Sequence, residues 1–242
     1  MADFEMNKKV SLICTLKNEA SSLDDFIKSL LSQSRIPDEI ILVDGGSDDE
    51  SVEIIETYMK KNAPIQLIIE DGINIAAGRN LAIKNAKYEI IASTDLGCIL
   101  NSEWLKYLIE PFEKEPTTDV VSGWYEPITN SKFERCLADI TYPKLEKVLK
   151  NPTNFLPSSR SVAFKKKCWE EVGGYPEWLY TAEDTTFDLA LKKNGCNFVF
   201  APKSFVYWKT RPNLKSALKQ YYLYGKGDGQ GRIFSKSYLI TY

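Results

Sequence analysis

An α/β fold with a mostly parallel central sheet flanked by helices is predicted by three observations. Residues 40–43, Ile-Ile-Leu-Val, form an unbroken apolar run closed by Asp44-Gly45-Gly46, the pattern of a strand covered on both faces. Similar runs at 10–16, 65–69 and 88–94 alternate with stretches of helical periodicity, the rhythm that builds parallel sheets through crossover helices. Two of these runs end in a carboxylate, Asp44 and Asp95, at the edge where open parallel sheets bind ligands.

The first strand, 10–16, runs into Lys17-Asn18-Glu19, and the spacing of Leu23, Phe26, Ile27, Leu30 and Leu31 predicts a helix over 20–33. After the central strand, Ser47 or Asp48 is expected to cap a helix over 49–61. A third strand at 65–69 leads to a helix over 74–85 that carries Gly78-Arg79-Asn80 in its first turns. The fourth strand, 88–94, ends in Thr94-Asp95-Leu96-Gly97. Ser102 is expected to cap a helix closed by Pro111, and a fifth strand at 120–125 completes the alternating half.

Beyond it the rhythm changes. An amphipathic helix over 130–149, broken near Pro143, precedes a loop at 155–160, a short strand at 161–165 and a brief helix at 168–172. A helix follows Ala182-Glu183-Asp184; two strands are predicted at 197–200 and 204–208, and a last helix at 214–224. The glycine-rich 225–231 reads as flexible, either a lid over a ligand or a linker. The apolar-aromatic end at 237–242 carries no helix stop, so a longer parent chain is expected.

Composition excludes several function classes. With 43% hydrophobic and 26% charged residues over 242 positions, the chain can bury a sizeable core, and disorder is disfavoured. A net charge of −2 lacks the basic excess of proteins whose main partner is nucleic acid, so no nucleic acid is expected. Histidine is absent, which rules out Ser-His-Asp and Cys-His catalysis and leaves oxygen-rich sites for hard cations. Five cysteines without a Cys-x-x-Cys pair fit a reduced cytoplasmic protein better than a disulfide or zinc framework. Residues 1–9 do not have the pattern of a signal peptide, and no apolar run approaches the roughly 20 residues of a membrane span.

Several side chains invite a chemical reading beside a bland one. Arg79 near the ligand edge offers a fork of donors to a phosphate, with a surface salt bridge as the alternative. Two carboxylates facing one crevice repel, and a divalent cation or a cationic side chain would relieve them. Thr181 lies three residues before Asp184, so a capping box accounts for one carboxylate of the Glu183-Asp184 pair but not for both.

Taken in order, Ser11 to Glu19, Val43-Asp44-Gly45-Gly46-Ser47-Asp48, Ala77-Gly78-Arg79-Asn80, Asp95, Gly173-Gly174-Tyr175 and Ala182-Glu183-Asp184-Thr185 resemble the inverting family 2 glycosyltransferases with the GT-A fold. The resemblance spans roughly residues 10–224 and rests on the order and spacing of motifs that are each weak alone. It implies a Rossmann-like nucleotide-sugar half over 1–126, an acceptor half over 127–224 and a flexible segment over 225–242. Nucleotide contacts are implied for Thr15, Asn18, Glu19, Asp44, Gly45, Arg79 and Thr94. Asp95 matches the metal-binding first acid of the family's Asp-x-Asp motif, Asp184 the catalytic base, and Glu183 is implied beside it. Acceptor or diphosphate contacts are implied for Ser158, Ser159, Arg160, Tyr175, Trp178 and Arg211.

Two departures bear on the metal. Gly97 stands where the second acid is usual, and Tyr207-Trp208-Lys209 where many relatives carry histidine. A magnesium or manganese ion is expected but weakened, with Arg79, Arg160, Lys209 or Arg211 as partial replacements. No Gln-x-x-Arg-Trp string is present, so a processive synthase is not expected.

The implied chemistry is sugar transfer from a nucleotide diphosphate, UDP by default, to a hydroxyl of a glycan or lipid-linked acceptor, with Asp184 as general base. Tyr175, Trp178 and Tyr180 are expected to surround that carboxylate and stack on the acceptor. The expected location is cytoplasmic, with peripheral attachment at the inner membrane face left open. A catalytically inactive relic serving as a carbohydrate-binding or scaffold protein, and a nucleotidyltransferase, are the alternatives. No P-loop string or Gly-x-Gly-x-x-Gly after the first strand supports other nucleotide chemistry.

Overall fold

The computed structural model describes residues 8–233. Strand β1 (Val10–Leu16) lies between β2 (Glu39–Asp44) and β4 (Ile90–Ser93), with β3 (Ile65–Ile69) outside β2, and all four run parallel. The crossovers are helices α1 (Ala20–Leu31), α2 (Ser51–Lys60) and α3 (Ile75–Asn85). Every residue of β2 is buried, and its alternate side chains serve two cores. Ile40 and Leu42 join Leu12 and Cys14 in a cluster with α1, α2 and α4 (Trp104–Lys114), whereas Ile41 and Val43 join Ile13 in a cluster with α3.

The remaining strands are β5 (Cys98–Leu100), β6 (Val120–Ile128), β7 (Val162–Lys165) and β8 (Phe198–Lys209), in the sheet order β3-β2-β1-β4-β7-β6-β8-β5. Beyond β4 the sheet is mixed, because β7 is antiparallel to both β4 and β6. Strand order reverses around β1, which opens a crevice at the carboxyl ends of β1, β2 and β4. The second half adds helices α5 (Lys132–Thr141), α6 (Leu145–Lys150), α7 (Lys166–Glu171), α8 (Glu183–Lys193) and α9 (Leu214–Gly231).

Several expectations are corrected. Pro111 does not close its helix but sits inside α4. A proline there costs about 3 kcal/mol, and the buried face of Trp104, Leu105, Leu108, Ile109 and Phe112 outweighs it, each such side chain contributing about 2 kcal/mol. Ser102 does not cap that helix, nor do Ser47 or Asp48 cap α2, since the flanking residues Glu103 and Glu50 make no side-chain cap bond. The two late strands are one, β8, whose pairing with β6 shifts register between Ser122 and Trp124. Pro202 falls in that irregularity, where a missing N–H removes no ladder bond. Gly123 makes the shift possible, because a Cβ there would come within 1.9 Å of Ser161 Oγ.

The glycine-rich 225–231 is not a flexible string but the end of α9. Its physical reason is close packing: a Cβ on Gly227 would lie 2.3 Å from Thr181 Oγ1 and 2.5 Å from Thr181 O. Residues 237–242, on which the expectation of a longer parent rested, lie outside the described residues. Among the described residues no helix is long and apolar enough to cross a membrane.

Candidate active site

The end of β1 supplies Thr15, Leu16 and Lys17 to a cleft of about 440 Å³, which Glu19, Gly45 and Tyr180 also line. Helix α3 closes on this edge because residue 78 is glycine; a Cβ there would stand 2.8 Å from Thr15 Cγ2. Asn18, left-handed at φ 56°, clasps the two loops together. Its N–H donates to Ser47 Oγ at 2.8 Å, and its Oδ1 accepts from Asp48 N at 2.9 Å.

Asp44 is turned onto its own loop. It is fully buried, its Oδ1 accepts from Gly46 N at 2.9 Å and Ser47 N at 2.8 Å, and its Oδ2 accepts from Ser47 Oγ. Gly46, at φ 83°, provides the left-handed turn this requires. Gly45, rather than Asp44, faces the cleft. Removing the acceptor orphans buried donors, so Asp44→Ala is expected to cost about 1–3 kcal/mol in the ligand-free chain, read from its denaturant midpoint. An unchanged midpoint would show that the carboxylate has no structural part.

A second cleft of about 490 Å³ shares Ile75 and Tyr180 with the first, and Arg79, Asp95, Ser158, Arg160 and Asp184 line it. Arg79 is its keystone. The side chain is 3% exposed and donates from Nη1 to Glu183 Oε1 at 2.6 Å and from Nη2 to Asp95 Oδ1 at 2.8 Å. Burial works to lower its pKa, but Asp95 and Glu183 outweigh that and raise it, so the guanidinium stays charged. Glu183 is pushed up, first by burial and further by Asp184, against the opposing pull of Arg79. Arg160 Nε faces the other oxygen of Asp95 at 3.8 Å. Burial again acts to lower its pKa, Asp95 to raise it, and the rise wins.

Asp184 sits in the first turn of α8. Its Oδ1 accepts from Thr185 N at 2.8 Å, and its Oδ2 from Ser158 Oγ at 3.5 Å. One turn on, Asp188 is buried with Oδ2 unpartnered; burial, reinforced by Asp184, pushes its carboxyl well up. The capping box is absent. Ala182 precedes the helix in a left-handed conformation, φ 64°, with no side-chain cap, and Thr181 Oγ1 donates instead to Leu223 O at 2.7 Å. The cleft loop thus hangs on α9. Gly227→Ala should wedge the two apart, costing about 1–3 kcal/mol, measured by thermal melting. A variant that melts as wild type would refute this link.

The structure gathers Thr15, Glu19, Gly45, Arg79, Asp95, Ser158, Arg160, Glu183 and Asp184 along the two clefts. Others stand apart. Thr94 is buried with Oγ1 unpartnered, and Ser159 is buried against the Tyr175 hydroxyl at 3.2 Å. Arg211 is exposed, donates from Nε to Gln220 Oε1 at 3.1 Å, and lines neither cleft. The expected aromatic surround of Asp184 is corrected: Tyr175 is buried and stacked on Phe187 at 4.1 Å, Trp178 is 67% exposed, and only Tyr180 of the three lines the cleft. Sequence reasoning missed Tyr125 and Tyr224, which line the second cleft. It also missed Trp208, whose ring stacks under Arg160 at 3.8 Å. No local motif marks these three, since they meet only through the pairing of β6 with β8 and the docking of α9.

Residues 11–172 match the sequence model of glycosyl transferase family 2. The poly-beta-1,6-N-acetyl-D-glucosamine synthase of Staphylococcus epidermidis is 24% identical over 224 residues, covering 90% of this chain and 54% of that protein. The uncharacterized glycosyltransferase EpsJ of Bacillus subtilis is 26% identical over 212 residues, covering 84% and 62%. The chain therefore spans about half the length of the first of these relatives. Among solved structures, S. aureus TarS 1-349 in complex with UDP-GlcNAc aligns at a TM-score of 0.68 and 20% identity, over 85% of this chain and 59% of that one. The mannosyltransferase PcManGT from Pyrobaculum calidifontis in complex with GDP-Man and Mn2+ aligns at 0.72 and 19%, over 87% and 59%. At these identities the likeness is one of fold.

Proposed function

This chain belongs to glycosyl transferase family 2 and has the GT-A fold, and from that premise we propose that it transfers a sugar from a nucleotide diphosphate sugar to a hydroxyl of a glycan or lipid-linked acceptor. The observation that carries the reading is the continuity of the two clefts through Ile75 and Tyr180. A nucleotide seated against Thr15, Glu19 and Gly45 would direct its diphosphate toward Arg79 and Asp95, with Asp184 beyond. The combined space is of the size that small-molecule sites occupy, about 300–1,000 Å³. A UDP-sugar is the proposed donor.

In that pose the acceptor hydroxyl approaches the anomeric carbon from the Asp184 side. Its proton passes to a carboxylate oxygen of Asp184 as the new C–O bond forms, while the bond to the diphosphate oxygen breaks and the configuration inverts. Oδ1 is held by the Thr185 N–H at 2.8 Å, whereas Oδ2 has only the long 3.5 Å contact with Ser158, which leaves Oδ2 the freer oxygen for the proton. Glu183, committed to Arg79 at 2.6 Å, is a positioning residue that keeps the guanidinium aimed at the departing diphosphate.

The expected divalent cation is tested by the donor set around Asp95. Oδ1 accepts from Arg79, Oδ2 faces Arg160, residue 97 is glycine, and among the described residues no three His, Cys, Asp or Glu side chains are grouped to hold a metal. Two fixed guanidinium groups about one carboxylate do not fit a resident divalent ion. The proposed division of labour assigns 1–126 to the nucleotide sugar and 127–224 to the acceptor. The five free cysteines suit a reducing compartment, so the cytoplasm is the proposed location.

The test is release of nucleoside diphosphate from UDP-GlcNAc, UDP-glucose and GDP-mannose, each with and without a glycan acceptor. Release from one donor, with a rise in melting temperature on binding it, is expected. Binding without release would favour a carbohydrate-binding relic, and neither binding nor release would sink the proposal.

A further inference from the structure

We propose that Arg160, stacked on Trp208 and facing Asp95 across 3.8 Å, receives the donor's diphosphate in place of a divalent cation. Asp95 then acts as the carboxylate that aims two guanidinium groups. This rests on the proposed nucleotide-sugar reading and deepens it.

Three features of the geometry carry the inference. First, each oxygen of Asp95 faces a guanidinium: Arg79 Nη2 donates to Oδ1 at 2.8 Å, and Arg160 Nε forms a longer ion pair with Oδ2 at 3.8 Å. A cation ligated there would sit roughly 2.0–2.6 Å from an oxygen, beside two fixed positive charges. Second, Arg160 has donors to spare. Nη1 donates to Ser158 Oγ at 2.7 Å and Nη2 to Tyr224 Oη at 3.4 Å, which uses one N–H of each terminal nitrogen and leaves the other of each for phosphate oxygens. Third, the group is preorganised. Its Cζ lies 3.8 Å over the Trp208 ring and 5.7 Å over Tyr125, and Tyr224 is held in turn by Gln220 Nε2 at 2.6 Å. A planar cation stacked on Trp208, with the Tyr125 ring set at right angles beside it and one edge open to the cleft, is a fixed electrostatic receptor for a departing dianion.

Trp208 is in this account a positioning residue for Arg160. It occupies the end of β8 that pairs with β5, so its place under the guanidinium is set by sheet register.

Calorimetric titration of the full chain with UDP, UMP, GDP and GMP, in EDTA and in manganese, tests the assignment. For whichever base binds, the diphosphate is expected to bind in EDTA with an affinity less than tenfold below that in manganese. Arg160→Gln should weaken the diphosphate tenfold or more while weakening the monophosphate less than tenfold. Trp208→Ala should follow Arg160→Gln, and Trp208→Phe, which keeps a π face, should restore binding to within tenfold of wild type. A manganese effect of tenfold or more on the wild-type chain, which needs no variant and so no folding control, overturns the inference alone. So does an Arg160→Gln chain that melts normally and keeps its diphosphate affinity, or one that loses both nucleotides equally. If no nucleotide binds in either buffer, the inference and the proposed function fall together.

Discussion

Asp184→Asn is expected to lower kcat by about 10²- to 10⁴-fold, the range a positioned general base supplies, while the nucleotide dissociation constant stays within a few-fold of wild type. The amide keeps the shape of the carboxylate and can still accept from Thr185 N, the 2.8 Å bond that orients the side chain at the start of α8. What it loses is the capacity to take a proton. Asp184 lines the second cleft, whereas the nucleotide's proposed seat is the first, against Thr15, Glu19 and Gly45. Binding and turnover should therefore separate. Titration calorimetry with UDP or GDP measures the former and nucleoside diphosphate release the latter. Turnover retained at more than a tenth of wild type would remove Asp184 from the role of base.

The second large effect is on stability. Arg79→Leu is expected to destabilise the fold by about 3–5 kcal/mol, the usual consequence of leaving a buried charge unpaired. For a domain of this size that corresponds to a melting temperature lower by roughly 10 °C. Glu183, 9% exposed, and Asp95, 28% exposed, both lose the group that neutralises them. The loss should depend on pH. Burial and Asp184 already hold Glu183 above its ordinary range against the downward pull of Arg79. The folded chain therefore binds that proton more tightly than the unfolded chain, and this contribution to stability fades as pH rises through the folded pKa. Without Arg79 the upward shift grows, so the deficit should be larger at pH 8 than at pH 5. A second substitution, Glu183→Leu, should recover part of the loss because it removes the stranded charge. A deficit that is flat with pH, or a double variant no more stable than the single, would show that the pair is not coupled in this way.

Much of the first half was legible in the chain because its signals are local. The β2 segment reads as a buried strand from four consecutive aliphatics, and all six of its residues are buried. The helix expected over 74–85 is α3, and Asn74 stands just before it as its cap, the side chain accepting from Ala77 N at 2.9 Å. The second half was harder for the opposite reason. Pro111 and Pro202 carry strong local signals to stop, yet α4 continues through one and β8 through the other. In each case distant packing or a register shift supplied what the residue itself could not. The glycines of 225–231 read as slack when taken alone, but Gly227 lies so close to Thr181 that a side chain would not fit.

The site divides along the same line. Which residue types could do the work followed from the chain itself, because an acid at the end of a buried strand or at the head of a helix is a pattern of neighbours. The absence of histidine, read from composition, likewise excluded an imidazole base. Only the tertiary structure decided how those acids are used. It turned Asp44 onto its own loop, paired Asp95 and Glu183 with a single buried arginine, and left Asp184 facing the cleft. It also set Arg160 on Trp208, 48 positions along the chain, through strand pairing that no local string encodes. Charge and hydrogen-bonding capacity belong to a residue wherever it stands, whereas the partner that consumes them is chosen by packing between segments far apart in sequence.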